Sequence, residues 1–205
     1  MKVIGITGSP REKSNTKYFV ENALNEISTY GLETELISLD NKYVKPCKGC
    51  YSCVKNKECI QKDDDFEEIF EKIKSAEGII VGSPVYHGAT TPNLKALLDR
   101  AGFLGRWVSS DMKAKNESYD FKGTVFSGKV GAPITVARRT GQTFAFAELL
   151  LWFTVNDFIV VGSSYWNVGI AGKGGAVDAE NDDEGVLNIK HFASNMANAI
   201  KKLNA

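Results

Sequence analysis

The feature that most limits how this 205-residue chain can fold is a repeated alternation of short apolar strands with amphipathic helical stretches. Val3-Ile4-Gly5-Ile6 reads as a strand. Between Ser14 and Tyr30, the residues Phe19, Val20, Ala23, Leu24, Ile27 and Tyr30 recur at helical spacing, and Gly31 is placed to end the helix. Thr34 to Leu39 is a second strand. Asp63-Asp64-Asp65 supplies caps for a helix with Phe66, Ile69, Phe70 and Ile73 on one face. Gly78 to Gly82 reads as a buried strand, Pro92 to Arg100 as a helix, Val130 to Val136 as a strand, Gly141 to Phe153 as an apolar helix and Asp157 to Val161 as a strand. A last helix runs from about Asp183 to Leu203. Such alternation folds as a parallel sheet with helices on both faces. The expected fold is therefore α/β: a doubly wound five-stranded parallel sheet in one domain over residues 1–205. Two stretches exceed that minimal plan, a cysteine-rich loop over 42–62 and a polar, irregular excursion over 103–128. Long excursions in compact domains are usually functional or interfacial.

Charge and hydropathy narrow the partners. Lysine plus arginine and aspartate plus glutamate each number 25, so the formal net charge is zero. No broad basic face for nucleic acid is expected. No apolar run approaches the roughly 20 residues of a membrane span. Gly5-Ile6-Thr7-Gly8-Ser9-Pro10 interrupts the opening apolar stretch at once, unlike a signal peptide, so a cytoplasmic location is expected.

The first strand leads into Thr7-Gly8-Ser9-Pro10-Arg11-Glu12-Lys13-Ser14-Asn15-Thr16 and then a helix. In an open α/β sheet, ligands sit beyond the carboxyl ends of the strands, and a helix N-terminus there attracts anions. Ser9, Ser14, Asn15 and Thr16 add neutral donors and Arg11 a charged fork, a combination suited to a phosphate. The plain alternative is an ordinary turn capped by Ser14 or Asn15. Neither G-x-G-x-x-G nor a Walker sequence occurs here, which favours a mononucleotide phosphate over a pyrophosphate.

Gly8-Ser9-Pro10-Arg11 followed by Ser14-Asn15-Thr16 resembles the phosphate loop of flavodoxin-like FMN proteins, in the branch of the NADPH-dependent FMN reductases. Gly82-Ser83-Pro84-Val85-Tyr86-His87-Gly88, and the helix opening Thr91-Pro92-Asn93-Leu94-Lys95-Ala96-Leu97-Leu98-Asp99-Arg100, resemble that family's ring-lining loop and the helix after it. The resemblance implies that Pro84, Val85, Tyr86, His87 and Gly88 line an isoalloxazine ring, with Asn93 just beyond. The plain alternatives are that Tyr86 is a surface aromatic and His87 a solvated side chain rather than a proton donor. The third FMN loop would follow the fourth strand, at Thr135, Ala137, Arg138 and Arg139. A cation there would stabilise reduced flavin. The alternative is that both arginines only cover the surface or pair across an interface.

All four cysteines lie within 13 residues, as Cys47, Cys50, Cys53 and Cys59. This C-x2-C-x2-C-x5-C spacing favours a [4Fe–4S] cluster, because structural zinc prefers two C-x-x-C pairs on a longer arm. Placed between the second strand and the next helix, it resembles the motif of the iron–sulfur flavoproteins. That resemblance implies FMN and a cluster, electron exchange between a ferredoxin-like one-electron carrier and a small-molecule two-electron acceptor, and assembly as a homodimer or homotetramer. The competing reading is an NAD(P)H-dependent FMN or quinone reductase whose cysteines hold structural zinc. Lys42, Lys45, Lys48, Lys55, Lys57 and Lys62 surround the cysteines and either attract an acidic carrier or simply keep the loop soluble.

Overall fold

A computed structural model of the chain describes residues 1–109 and 123–205. Its strands are β1 (Lys2–Thr7), β2 (Glu33–Ser38), β3 (Gly78–Pro84), β4 (Val130–Ala137), β5 (Ile159–Val160) and β6 (Val168–Ile170). Its helices are α1 (Asn15–Thr29), α2 (Ser52–Asn56), α3 (Phe66–Ser75), α4 (Pro92–Ser109), α5 (Gln142–Val155) and α6 (Asp183–Leu203). The sheet is parallel with the order β2-β1-β3-β4-β5, the doubly wound order whose switch point lies between β1 and β3. The fifth position is shared. Val130 and Gly131 pair with β5, whereas Thr135, Val136 and Ala137 pair with β6 further along.

Both faces of the sheet are buried, so each central strand is apolar through its middle yet sends alternate side chains to different cores. Ile4, Ile6, Ile79 and Val81 pack with α3, α4 and α5, while Val3, Ile80, Val130, Ala132, Ile134 and Val136 pack with α1 and α6. Two glycines let α1 approach the sheet. A Cβ on Gly5 would stand 2.6 Å from Val20 Cγ1, and one on Gly82 would stand 2.5 Å from Val20 Cγ2. The register is flush where it matters: Thr7 lies opposite Gly82 and Ser83 opposite Thr135, so the loops after β1, β3 and β4 leave the sheet at one level.

Three expectations need correction. Helix α4 does not stop at Arg100 but continues to Ser109, so the excursion over 103–128 begins as helix. It also ends in the core. Phe126 is fully buried and stacks on Phe158 with centroids 5.1 Å apart, and the Thr124 hydroxyl donates to the Asn156 carbonyl at 2.8 Å. The rest of that excursion, 110–122, lies outside the described residues. The loop over 42–62 contains a helical turn, α2, that packs on α4. Finally, β6 has no counterpart among the expected strands, because three residues on a sheet edge carry no readable period.

The close approach of α1 yields a prediction. Gly82→Ala should lower stability by about 1–3 kcal/mol, the usual cost of overpacking against stiff β-branched neighbours, here Val20 and Thr16. A shift in the denaturant midpoint at constant slope would report it, and an unshifted midpoint would show that α1 has room to move.

Candidate functional site

Three loops meet above the carboxyl edge of the sheet. The first is built by α1, whose N-cap Ser14 accepts from the Lys17 amide at 3.2 Å. No acidic residue occupies the first turn of α1, so its positive end is left for an outside anion. Ser9 is buried and its hydroxyl accepts the Arg11 amide at 3.2 Å, which curls the loop. The Gly8 amide donates to the Gly82 carbonyl at 2.8 Å, and the Thr91 hydroxyl donates to the Gly8 carbonyl at 2.7 Å, fastening this loop to the second.

The second loop is a tight turn on a braced base. Tyr86 and Ala89 exchange two backbone hydrogen bonds of 2.9 and 3.0 Å, and the residues between them, His87 and Gly88, both take positive φ (51° and 83°). That backbone is the left-handed turn glycine favours. Below it, the Val85 amide donates to the Val136 carbonyl, the Thr90 amide to Glu148 Oε2, and the Thr91 amide to Ser83 Oγ. Tyr86 and His87 remain exposed at the tip, and a Cβ on Gly88 would meet nothing within 4 Å. A flat ring can therefore approach that face of the turn.

At the end of β4 that leads into the third loop, Thr135 is fully buried and its hydroxyl has no hydrogen-bond partner among the described residues; the same holds for Asn167 Oδ1. Buried polar atoms left without partners are costly unless a ligand or water meets them. Ala137 is half-buried, and Arg138 and Arg139 are exposed and pair with no acid among the described residues.

The cysteine segment lies elsewhere, beside α4. Its two ends are drawn together. The Tyr43 amide donates to Asp65 at 2.7 Å, the Lys45 amide donates to Asp64 at 2.8 Å, and the Asp65 amide donates to the Tyr43 carbonyl at 3.0 Å. Between them, Cys47, Cys50, Cys53 and Cys59 line a single depression floored by Arg100, Phe103 and Leu104. All four are free thiols; Cys47 and Cys50 are exposed, and Cys53 and Cys59 rest against the core. Tyr51 and Lys57, at either end of α2, hold positive φ and turn the chain around the depression. Hydrogen bonds from Ser52, backbone first and hydroxyl second, hold the Cys50 thiol below its ordinary range, whereas burial pushes Cys53 up. Among the described residues, no three His, Cys, Asp or Glu side chains are gathered as closely as one ion requires. Four thiolates on one tetrahedral zinc would stand about 3.8 Å apart. Four thiols lining one depression are a donor set that either a zinc ion or a four-iron cluster takes.

The chain has known relatives. Residues 1–173 match the family described as NADPH-dependent FMN reductase. Over 98% of each chain, the protein is 36% identical to an iron–sulfur flavoprotein of Methanocaldococcus jannaschii. The chain belongs to the iron–sulfur flavoproteins of the FMN reductase family. Membership makes it an FMN-dependent oxidoreductase. In fold alone it is similar to RosB (TM-score 0.75, 16% identity, 100% of this chain and 80% of that one) and to an archaeal flavodoxin (TM-score 0.61, 16% identity, 98% and 99%). The fold is thus flavodoxin-like, as the loop motifs imply.

Three residues read from the sequence as cofactor contacts also hydrogen-bond within this flavoprotein. Asn93 donates to the carbonyls of Leu39 (3.3 Å) and Lys42 (2.9 Å) and accepts the Val44 amide, so both its N–H groups tie down the entry to the cysteine segment. Asn15 accepts from the Asp178 and Ala179 amides at 2.8 and 3.0 Å and donates to the Ala176 carbonyl at 2.9 Å. Arg11 likewise donates to the Gly175 carbonyl at 3.1 Å. These contacts hold residues 172–179 against the first loop, a neighbour the sequence reading missed. Glycine-rich composition at Gly172, Gly174 and Gly175 was the available signal. Asp64, read as a helix cap, and Arg100, read only as part of a helix motif, were missed as a buried ion pair with side-chain exposures of 0% and 2%.

Asn15→Ala should remove hydrogen bonds worth about 1–3 kcal/mol together and expose residues 172–179 to limited proteolysis. A cleavage pattern identical to wild type would mean that the Arg11 contact alone holds the segment.

Proposed function

We propose that this protein is an electron-transfer flavoprotein that uses FMN and a [4Fe–4S] cluster to join a one-electron, ferredoxin-like carrier to a two-electron small-molecule acceptor. The observation that carries this reading is that α4 begins at Pro92, just after the turn over 86–89, and passes beneath the depression lined by all four cysteines. When bound, FMN supplies two-electron and the cluster one-electron chemistry.

The chain's own residues divide the work. The N-terminus of α1, Ser9, Ser14 and Thr16 would hold the FMN phosphate, with Arg11 closing over it. Pro84, Val85, Tyr86 and Gly88 would line the ring, and His87 would stand at its open edge. Thr135, Ala137, Arg138 and Arg139 would face its pyrimidine side, where the orphan Thr135 hydroxyl is available as a donor. Cys47, Cys50, Cys53 and Cys59 would supply the four thiolates. From Pro92 to Arg100 the rise of α4 is about 12 Å, which separates the two sites within one chain. The exposed apolar residues Phe144, Leu151 and Val155 on α5 suit contact with a second copy. No described helix is long and apolar enough to cross a membrane.

The lysines around the cysteines are less free than their number suggests. Lys42 pairs with Asp65 and Glu68, Lys45 with Asp63, and Lys62 with Glu58 and Glu67. Lys48 and Lys55 are exposed and make no ion pair among the described residues. Replacing both by Glu should slow reduction by an acidic one-electron donor at low salt, with the difference fading as salt rises. An unchanged rate at low salt would remove carrier steering from the proposal.

The principal test is metal and flavin content of anaerobically purified protein. About four iron and one FMN per chain are expected from cluster ligation by four thiolates. Zinc with FMN would replace this reading with that of an NAD(P)H-dependent flavin or quinone reductase carrying a structural metal.

A further inference from the structure

The Arg100 guanidinium is buried and its fork is divided among four acceptors. Nη1 donates to Asp64 Oδ2 and to the Lys45 carbonyl (3.3 Å), and Nη2 donates to Cys59 Sγ (3.2 Å) and to the Gln61 carbonyl (2.9 Å). Its Cζ lies 4.0 Å from the centre of the Phe66 ring, and Nε alone of its nitrogens lacks a partner among the described residues. Asp64, also buried, accepts the Lys45 amide at 2.8 Å and the Phe66 amide at 3.3 Å. Holding the loop in place would need only the carbonyl and carboxylate contacts. The bond to sulfur is an additional one, and it aims a charged donor at a cysteine that lines the depression.

Resting on the two-cofactor reading above, we propose that Arg100 is a positioning residue that sets the cluster's reduction potential through its N–H···S bond to Cys59, with Asp64 limiting how much of the positive charge is felt there. Reduction transfers one electron from an outside one-electron donor, with no bond made or broken, and the negative charge beside Cys59 grows by one. A cationic donor to a ligand sulfur favours the more negative state and so raises the potential. Burial makes the effect strong, because little water screens it. The exposed lysines of the loop act through solvent and are screened by salt.

The test compares holoprotein carrying both cofactors as wild type, Arg100→Gln and Asp64→Asn, in anaerobic redox titrations that follow the cluster and the flavin separately. Dithionite serves as the reductant. Arg100→Gln should lower the cluster potential, with the reduced-to-oxidised ratio at a fixed potential falling about tenfold, or about 59 mV for a one-electron couple. Asp64→Asn should raise it, because the guanidinium then lacks its counter-charge. The flavin potential should stay in place in both. A purely structural role predicts no such opposed shifts. Cluster potentials unchanged in both variants, or moved in the same direction, would overturn the inference. Should Arg100→Gln fail to retain the cluster, Asp64→Asn decides alone: an upward shift supports the proposal, and an unchanged or lowered potential overturns it. Zinc in place of iron in the wild type would overturn the function proposed above and this inference with it, whereas iron with unmoved potentials would overturn this inference only.

Discussion

The ion pair between Asp64 and Arg100 is the interaction on which the cysteine segment depends. Neither charge reaches water in quantity, and an unpaired buried charge costs several kcal/mol (of order 3–5 when one partner is removed). The cost is offset because nearly every donor and acceptor of the pair is used: the carboxylate takes two backbone amides, and the guanidinium reaches two carbonyls and a sulfur. The segment itself has little apolar surface to bury. It contributes Val44, Cys53 and Cys59 to the core and otherwise lies on α4. Directional polar contacts therefore fix its place where packing would not, and they tie it to the helix that follows the turn over 86–89.

Much of the frame was legible because its signals are local. Strands β1, β3 and β4 are apolar runs bounded by glycine or proline, and α1, α3 and α6 keep a buried stripe at helical spacing. Ser14 serves as the cap the sequence suggests. What was not legible depends on partners distant in the chain. Helix α4 continues through Gly102 and Gly105, which look like breakers. A Cβ at Gly105 would stand 2.4 Å from the Phe126 ring, so the glycine there reflects a contact from after the undescribed stretch. Asn15 and Asn93 are sensible phosphate or flavin ligands by type, but an amide that donates and accepts at once is equally suited to fastening loops, and that is how both are placed.

Charge shows the same limit. Six lysines near four thiols suggest a positive face by counting alone. Acids between Glu58 and Glu68, at the far end of the loop and the start of α3, pair with three of them, so the field outside the loop is weaker than the count implies. The cation that hydrogen-bonds Cys59 comes from a different element, donated by α4 rather than by the loop itself.

The neck where residues 43–45 meet residues 64–65 has a consequence for how the protein matures. Closing a loop restricts its chain entropy, and that cost grows only slowly with loop length. Here the frame closes the loop, since Asp64 and Asp65 are fixed by the start of α3 and by Arg100. A cluster binding between those ends would have only the interior of the loop left to order. Its acquisition is thereby separated from folding of the sheet, so the flavin-bearing frame and the thiol pocket can be completed in sequence.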